Sequence, residues 1–232
     1  MIAPTIVFDL DGTLIDTAPD LVATLNIIFA REGLPQVAYH AARNMVGRGA
    51  RGMIERGLAA DGRTLAAAEL DRLVKDFIGH YAEHIADRSR PFPGLEATLD
   101  ALAVDGYRLA VCTNKLERLS RRLLDALGLS NRFVAICGAD TFGIQKPNPE
   151  LLRRTIARAA GDAARTVMVG DSLTDIATAR AAGVPIVGVD YGYTETPVAE
   201  LGPDRVISAL SELPAAVVAL LDAGSGRIHQ IQ

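Results

Sequence analysis

Residues 5–13, Thr-Ile-Val-Phe-Asp-Leu-Asp-Gly-Thr, run from strand-forming side chains into two aspartates and a glycine. The first part of this stretch, TIVFD at 5–9, is a short and nearly continuous apolar run, the pattern of a strand covered on both faces. Four later runs share it: YRLAVC at 107–112, FVAIC at 133–137, TVMVG at 166–170 and PIVGV at 185–189. Helical patterns over 116–127, 149–160 and 173–182 separate the later runs. Gly128, Gly161 and Gly183 follow these helices, where a left-handed C-cap favours glycine. Strands alternating with helices predict an α/β fold, a doubly wound parallel sheet.

One interval breaks the alternation. Residues 15–93 carry almost no strand pattern, yet 21–30 and 70–85 show helical periodicity. A crossover between parallel strands needs far less chain. The expected organisation is therefore a core from 1–14 and 94–232, with a separate helical insertion at 15–93. Thr17-Ala-Pro19-Asp20 opens the insertion and Arg90-Pro-Phe-Pro93-Gly94 closes it, sequences suited to stiff turns or hinges. The tail from 224 to 232 reads as frayed.

Composition narrows the function classes. The 232 residues are 49% hydrophobic and 22% charged with a net charge of −4, which excludes a disordered chain and gives no basic footprint for nucleic acid or an anionic membrane. Cys112 and Cys137 lie in apolar runs without metal-ligand spacing, so buried reduced thiols are expected. The start of the chain lacks the basic region of a signal peptide, and the apolar run at 215–221 is too short to span a bilayer. The expectation is a cytoplasmic protein acting on a small molecule.

Ligands of such sheets bind at the carboxyl ends of the strands. The residues just past each strand are Asp9 and Asp11, then Thr113, Asn114 and Lys115, then Asp140 with Lys146 beyond, then Asp171 and Asp175. Any one of these acids alone is most simply a solvated loop residue; the whole set along one edge marks a site. Carboxylates this close repel unless a cation holds them, and hard oxygen ligands select Mg²⁺, which also binds phosphate. Asp9 and Asp11, two apart at a strand end, address one substrate atom from the same side. One can attack while the other handles protons, and spacing leaves open which does which.

Asp9-Leu-Asp11-Gly-Thr13, Thr113-Asn114, Lys146-Pro-Asn-Pro and Gly170-Asp171-Ser-Leu-Thr-Asp175 resemble, in this order, the four signature motifs of the haloacid dehalogenase superfamily. The helical insertion is similar to that superfamily's first type of cap. The resemblance implies that Asp9 attacks phosphorus to form an aspartyl-phosphate, while Asp11 protonates the leaving alkoxide and later activates water. It also implies Mg²⁺ bound by Asp9, the Asp11 backbone carbonyl and Asp171. Thr113 and the Asn114 amide would grip the phosphoryl group and Lys146 would neutralise it, with Thr13 and Asp175 supporting from behind. Asp11 argues against a dehalogenase, and Thr13 leans towards a phosphatase over a phosphomutase.

Residues 21–26, Val46-Gly-Arg-Gly49 and Phe92-Pro-Gly94 resemble the phosphoglycolate phosphatase branch, which implies 2-phosphoglycolate as substrate. The alternatives are another small-metabolite phosphatase, for sugar phosphate or pyrophosphate, or a β-phosphoglucomutase-like phosphomutase. A receiver domain is a third reading, disfavoured because its phosphoacceptor follows a later strand. Arg43, Arg48, Arg51 and Arg56 crowd the insertion, and Arg48, between glycines, is the candidate for a substrate carboxylate. Gly47-Arg-Gly49-Ala-Arg-Gly52 spells a dinucleotide fingerprint, but follows no strand. His80 and His84 have metal-like spacing without a third ligand, so they read as a helix face. Tyr191 and Tyr193 either line the site edge or pack under a loop.

Overall fold

The computed structural model describes the backbone of residues 3–228 and the side chains through residue 223. Strand β1 (Thr5–Phe8) leads through a tight turn into β2 (Ile15–Asp16) and four helices: α1 (Ala18–Arg31), α2 (Tyr39–Arg43), α3 (Gly49–Ala60) and α4 (Ala67–Glu83). The chain returns through β3 (Arg90–Pro91) and α5 (Leu95–Val104). Next come β4 (Arg108–Cys112), α6 (Glu117–Ala126), β5 (Ala135–Cys137), α7 (Pro149–Arg158), β6 (Thr166–Gly170) and α8 (Leu173–Ala182). β7 (Ile186–Val189), β8 (Arg205–Ile207) and α9 (Leu213–Ile228) complete the order.

The six strands of the main sheet run in the order β5-β4-β1-β6-β7-β8, and every neighbouring pair is parallel. This is the expected doubly wound α/β architecture. Alternate side chains serve opposite faces: Ile6, Phe8, Leu109, Val111, Val167 and Val169 join one apolar cluster, whereas Val7, Ala110, Cys112 and Met168 join another. Helices α5 and α9 cover the first face, and α7 and α8 the second. The first cluster continues without a break into Leu25, Phe29, Met53, Phe77 and Tyr81 of the helical insertion, so the insertion shares the core of the sheet.

β2 and β3 pair antiparallel and form a two-strand ribbon through which the chain leaves and re-enters the sheet. Asp20, in the first turn of α1, accepts bonds from Arg88 N at 3.0 Å, Ser89 N at 2.8 Å and Ser89 Oγ at 2.7 Å. A single buried carboxylate thereby ties the outgoing linker to the returning one.

Several expectations need revision. β8 carries Arg205 and Val206 on the exposed edge of the sheet, so its apolar run is too short to stand out. The helix expected to end against Gly161 instead places Ala160 in the left-handed region, at φ 51°. Gly161 is needed for a close approach: a Cβ there would run into Thr5 Oγ1. The tail read as frayed from 224 continues as helix α9 to Ile228, and 229–232 lie outside the described residues. Cys112 and Cys137 are buried and unpaired. Among the described residues, no helix is long and apolar enough to cross a membrane.

Candidate active site

Register sets the site. Phe8 pairs with Val111 on one side and Val169 on the other, so β1, β4 and β6 end level. Asp9, Thr113 and Asp171 consequently emerge together, and Asp9 N donates to Val169 O at 2.9 Å to pin the edge. Gly12 then turns the chain at φ 87°, and a Cβ at this position would collide with the Asp171 carboxylate.

Asp9, Asp171 and Asp175 are all buried and offer carboxylate oxygens within 4.8 Å of one another. Asp171 is oriented by Thr13 Oγ1 at 3.1 Å on Oδ1 and by Tyr193 N at 2.7 Å on Oδ2. Asp175 Oδ1 accepts from Lys146 Nζ at 2.6 Å, and its Oδ2 accepts from Ser172 N at 3.1 Å and Ser172 Oγ at 2.6 Å. Both oxygens of Asp175 are therefore committed. Lys146 Nζ also stands 2.8 Å from Asp9 Oδ1, so one ammonium serves two buried carboxylates.

Charge in this cluster is unbalanced. Burial, opposed by Lys146 and reinforced by Asp175, pushes the Asp9 carboxyl up to about 6. Burial again, with the charges of Asp175 and Asp9, pushes Asp171 up to about 8. Burial works against the Lys146 ammonium too, yet Asp175 and Asp9 outweigh it and hold that group well above the usual lysine range. Two carboxyls that resist ionisation beside a single ammonium fit one further cation. The hard oxygen donors of this cluster suit a divalent ion.

The other acid of the pair has a different environment. Asp11 accepts from Lys115 Nζ through both oxygens, at 2.7 and 2.8 Å, and from Thr17 Oγ1 at 2.7 Å. It lies at the floor of a cavity of about 200 Å³ between the strand ends and helices α3 and α4.

A family described as haloacid dehalogenase-like hydrolase matches residues 6–189. The chain belongs to the haloacid dehalogenase-like hydrolases. A phosphoglycolate phosphatase of Mesorhizobium japonicum is 50% identical over 226 residues, covering 97% of this chain and 100% of that one. One from Caulobacter vibrioides is 51% identical over 217 residues, covering 94% and 92%. The crystal structure of a predicted phosphoglycolate phosphatase from Haemophilus somnus superposes with a TM-score of 0.86 at 30% identity, over 92% of this chain and 97% of that one.

Within this haloacid dehalogenase-like hydrolase, the expected residues occupy unequal positions. Asp9, Asp11, Thr113, Lys146, Asp171 and Asp175 converge at the strand ends and are buried. Thr113 Oγ1 accepts from Lys115 N at 3.2 Å, which leaves its own proton to donate. The Asn114 side-chain nitrogen donates to Lys146 O at 3.1 Å and to Gly47 O at 3.2 Å, and its Oδ1 accepts from Lys146 N at 2.8 Å. An amide has two donors, and both are engaged. The Asn114 side chain holds the Lys146 loop and ties it to the helical insertion. Asp140 is outside the cluster; it is exposed and accepts from Glu117 N at 2.7 Å, at the start of α6.

The four arginines also separate. Arg43 donates to Tyr191 O at 3.0 Å and stacks on the Tyr193 ring. Arg51 pairs with Asp71, and Arg56 bonds Asn44 O at 2.8 Å and Glu195 at 3.2 Å. Arg48, exposed at the head of α3, lines the cavity rim and makes no such bond among the described residues. The glycine-rich loop around it joins α2 to α3 and follows no strand. His80 bonds Thr24 Oγ1 at 3.2 Å and stacks on His84, which pairs with Asp87.

Sequence reasoning placed Lys115 at the strand edge without a role and missed Thr17 and Ser172. Lys115 was legible as the third residue past β4, but its partner was not. Tyr193 is more than an edge residue. Its backbone orients Asp171, while its hydroxyl donates to Asp16 at 2.5 Å and accepts from Ala18 N at 3.0 Å, linking the acidic cluster to the ribbon at the mouth of the insertion.

Proposed function

We propose that the chain is a divalent-cation-dependent phosphomonoester hydrolase whose substrate is 2-phosphoglycolate, with residues 15–93 as a cap over the site. The observation that carries this reading is the convergence of the buried Asp9, Asp171 and Asp175 carboxylates at the strand ends beside the Lys146 ammonium. Relatives named phosphoglycolate phosphatase, matched along nearly their whole length, support the substrate.

In this reading Asp9 attacks phosphorus in line and becomes an aspartyl-phosphate. Asp11 gives its proton to the departing alkoxide, then takes one from the water that hydrolyses the acyl phosphate and releases inorganic phosphate. Asp9, Asp171 and the backbone carbonyl of Asp11 would hold Mg²⁺, which when bound screens the charge of the phosphoryl group. Lys146, fixed by Asp175 and by Asn114, supplies a second positive charge to the phosphoryl oxygens, and Thr113 Oγ1 donates to them. Arg48 meets the substrate at the rim.

The test is phosphate release from 2-phosphoglycolate, glucose 1-phosphate, pyrophosphate and p-nitrophenyl phosphate, with Mg²⁺ and with EDTA. The expected result is release that requires Mg²⁺ and is fastest from 2-phosphoglycolate. Even activity across the panel would overturn the substrate and keep the chemistry. Consumption of glucose 1-phosphate without phosphate release would replace the hydrolase by a phosphomutase.

A further inference from the structure

We propose that Lys115 recognises the substrate's carboxylate, assisted by the Tyr81 hydroxyl, and that this carboxylate displaces Asp11 as the partner of Lys115. The inference rests on the 2-phosphoglycolate reading and deepens it.

Three observations point to the same spot. The Lys115 side chain is only 5% exposed and ends in the cavity between the strand edge and the helical insertion. A buried ammonium requires an anionic partner, and in this structure Asp11 supplies it through both oxygens. The Tyr81 ring lies 4.7 Å beneath that ammonium, and Tyr81 Oη is buried without a hydrogen-bond partner among the described residues. A buried hydroxyl left unpaired is costly to the fold, which marks it as a group that a ligand oxygen would satisfy. The remaining walls are mostly apolar, among them Val46, Met53, Phe77 and Leu116, so polar contacts in this space are few and specific.

Connectivity of the substrate then decides which chemistry fits. Asp11 serves the oxygen that bridges phosphorus and carbon. In 2-phosphoglycolate the carboxyl carbon is two bonds from that oxygen, so a carboxylate beside Asp11 falls within reach of the cation that Asp11 holds. A neutral alkyl phosphate brings nothing to exchange for Asp11 and leaves the acid clamped. The carboxylate therefore contributes to binding and also frees the acid it sits beside. Arg48, exposed at the rim, is too open to provide the same discrimination.

The experiment compares 2-phosphoglycolate with ethyl phosphate, which has a similar alkoxide leaving group and no carboxylate. It is run on the wild-type enzyme, Lys115→Met and Tyr81→Phe, each with Mg²⁺. The readout is the ratio of kcat/KM between the two substrates, with KM and kcat resolved. Lys115→Met is expected to lower that ratio by at least about thirtyfold, as for a lost charge-assisted bond. Tyr81→Phe is expected to lower it by about three- to tenfold while the Tm holds or rises, because no hydrogen bond is removed. Equal losses on both substrates would make Lys115 a positioning residue for Asp11 and overturn the inference. A wild-type preference for 2-phosphoglycolate that survives Lys115→Met overturns the inference alone, and absence of any wild-type preference overturns the proposed substrate with it. If Lys115→Met does not fold, Tyr81→Phe decides, since an unchanged ratio in that variant counts against the proposal.

Discussion

Lys146 Nζ lies 2.6 Å from Asp175 Oδ1, with the two side chains 1% and 0% exposed. A buried pair of this kind adds little when whole, but removal of one partner strands the other charge. Asp175→Ala should therefore destabilise the protein by about 3 kcal/mol, at the lower end of that range because Asp9 remains near the ammonium. Urea unfolding with an unchanged m-value would measure it. A loss below about 1 kcal/mol would show that Lys146 relaxes to a new partner.

Asp9→Asn separates chemistry from folding. The variant should lose about 10⁴-fold or more in kcat, the scale seen when a nucleophile is removed. Burial already opposes ionisation of this carboxyl, so the neutral amide should keep a cooperative thermal transition. Substantial steady-state turnover by Asp9→Asn would sink the nucleophile assignment.

The acidic cluster also predicts how metal and pH interact. Asp9 and Asp171 hold their protons up to about 6 and about 8 in the fold, above the ordinary 3.8. A raised carboxyl stabilises the fold below its unfolded pKa, and that contribution is lost as pH rises through the folded value. Metal-free protein should accordingly lose stability between about pH 4 and pH 8. Mg²⁺ needs the ionised carboxylates, so its affinity should rise by roughly tenfold per pH unit on approach to pH 8. Thermal melts with Mg²⁺ and with EDTA at pH 5.5 and 8.5 check this. An equal Mg²⁺-induced gain in Tm at both values would exclude Asp171 as a ligand.

Arg48 is exposed, so its contribution to binding should be modest and sensitive to salt. Arg48→Ala is expected to raise KM for 2-phosphoglycolate by about three- to tenfold, more than for a neutral phosphoester, with kcat nearly unchanged. Steady-state kinetics at low and high salt would test it; equal effects on both substrates would remove Arg48 from carboxylate recognition.

The alternation of apolar strands with helices, the long helical interval and the acids past the strand ends were all legible from the chain alone. Each rests on short-range signals, namely periodicity, chain length between elements, and the tendency of strand ends in such sheets to carry ligands. Those signals alone place Asp9, Asp11, Lys146 and Asp171 at one edge. They also nominated Asp140, which turns away to cap α6. β8 escaped because two of its three residues, Arg205 and Val206, are exposed, so this edge strand lacks the doubly buried pattern. What only the tertiary structure decided is the pairing of side chains far apart in the chain. Lys115 meets Asp11 across 104 residues, and Tyr81 comes to both from the helical insertion. A sequence records which charges exist, whereas the fold alone sets which of them share a desolvated space, and in such a space each charge must find a partner.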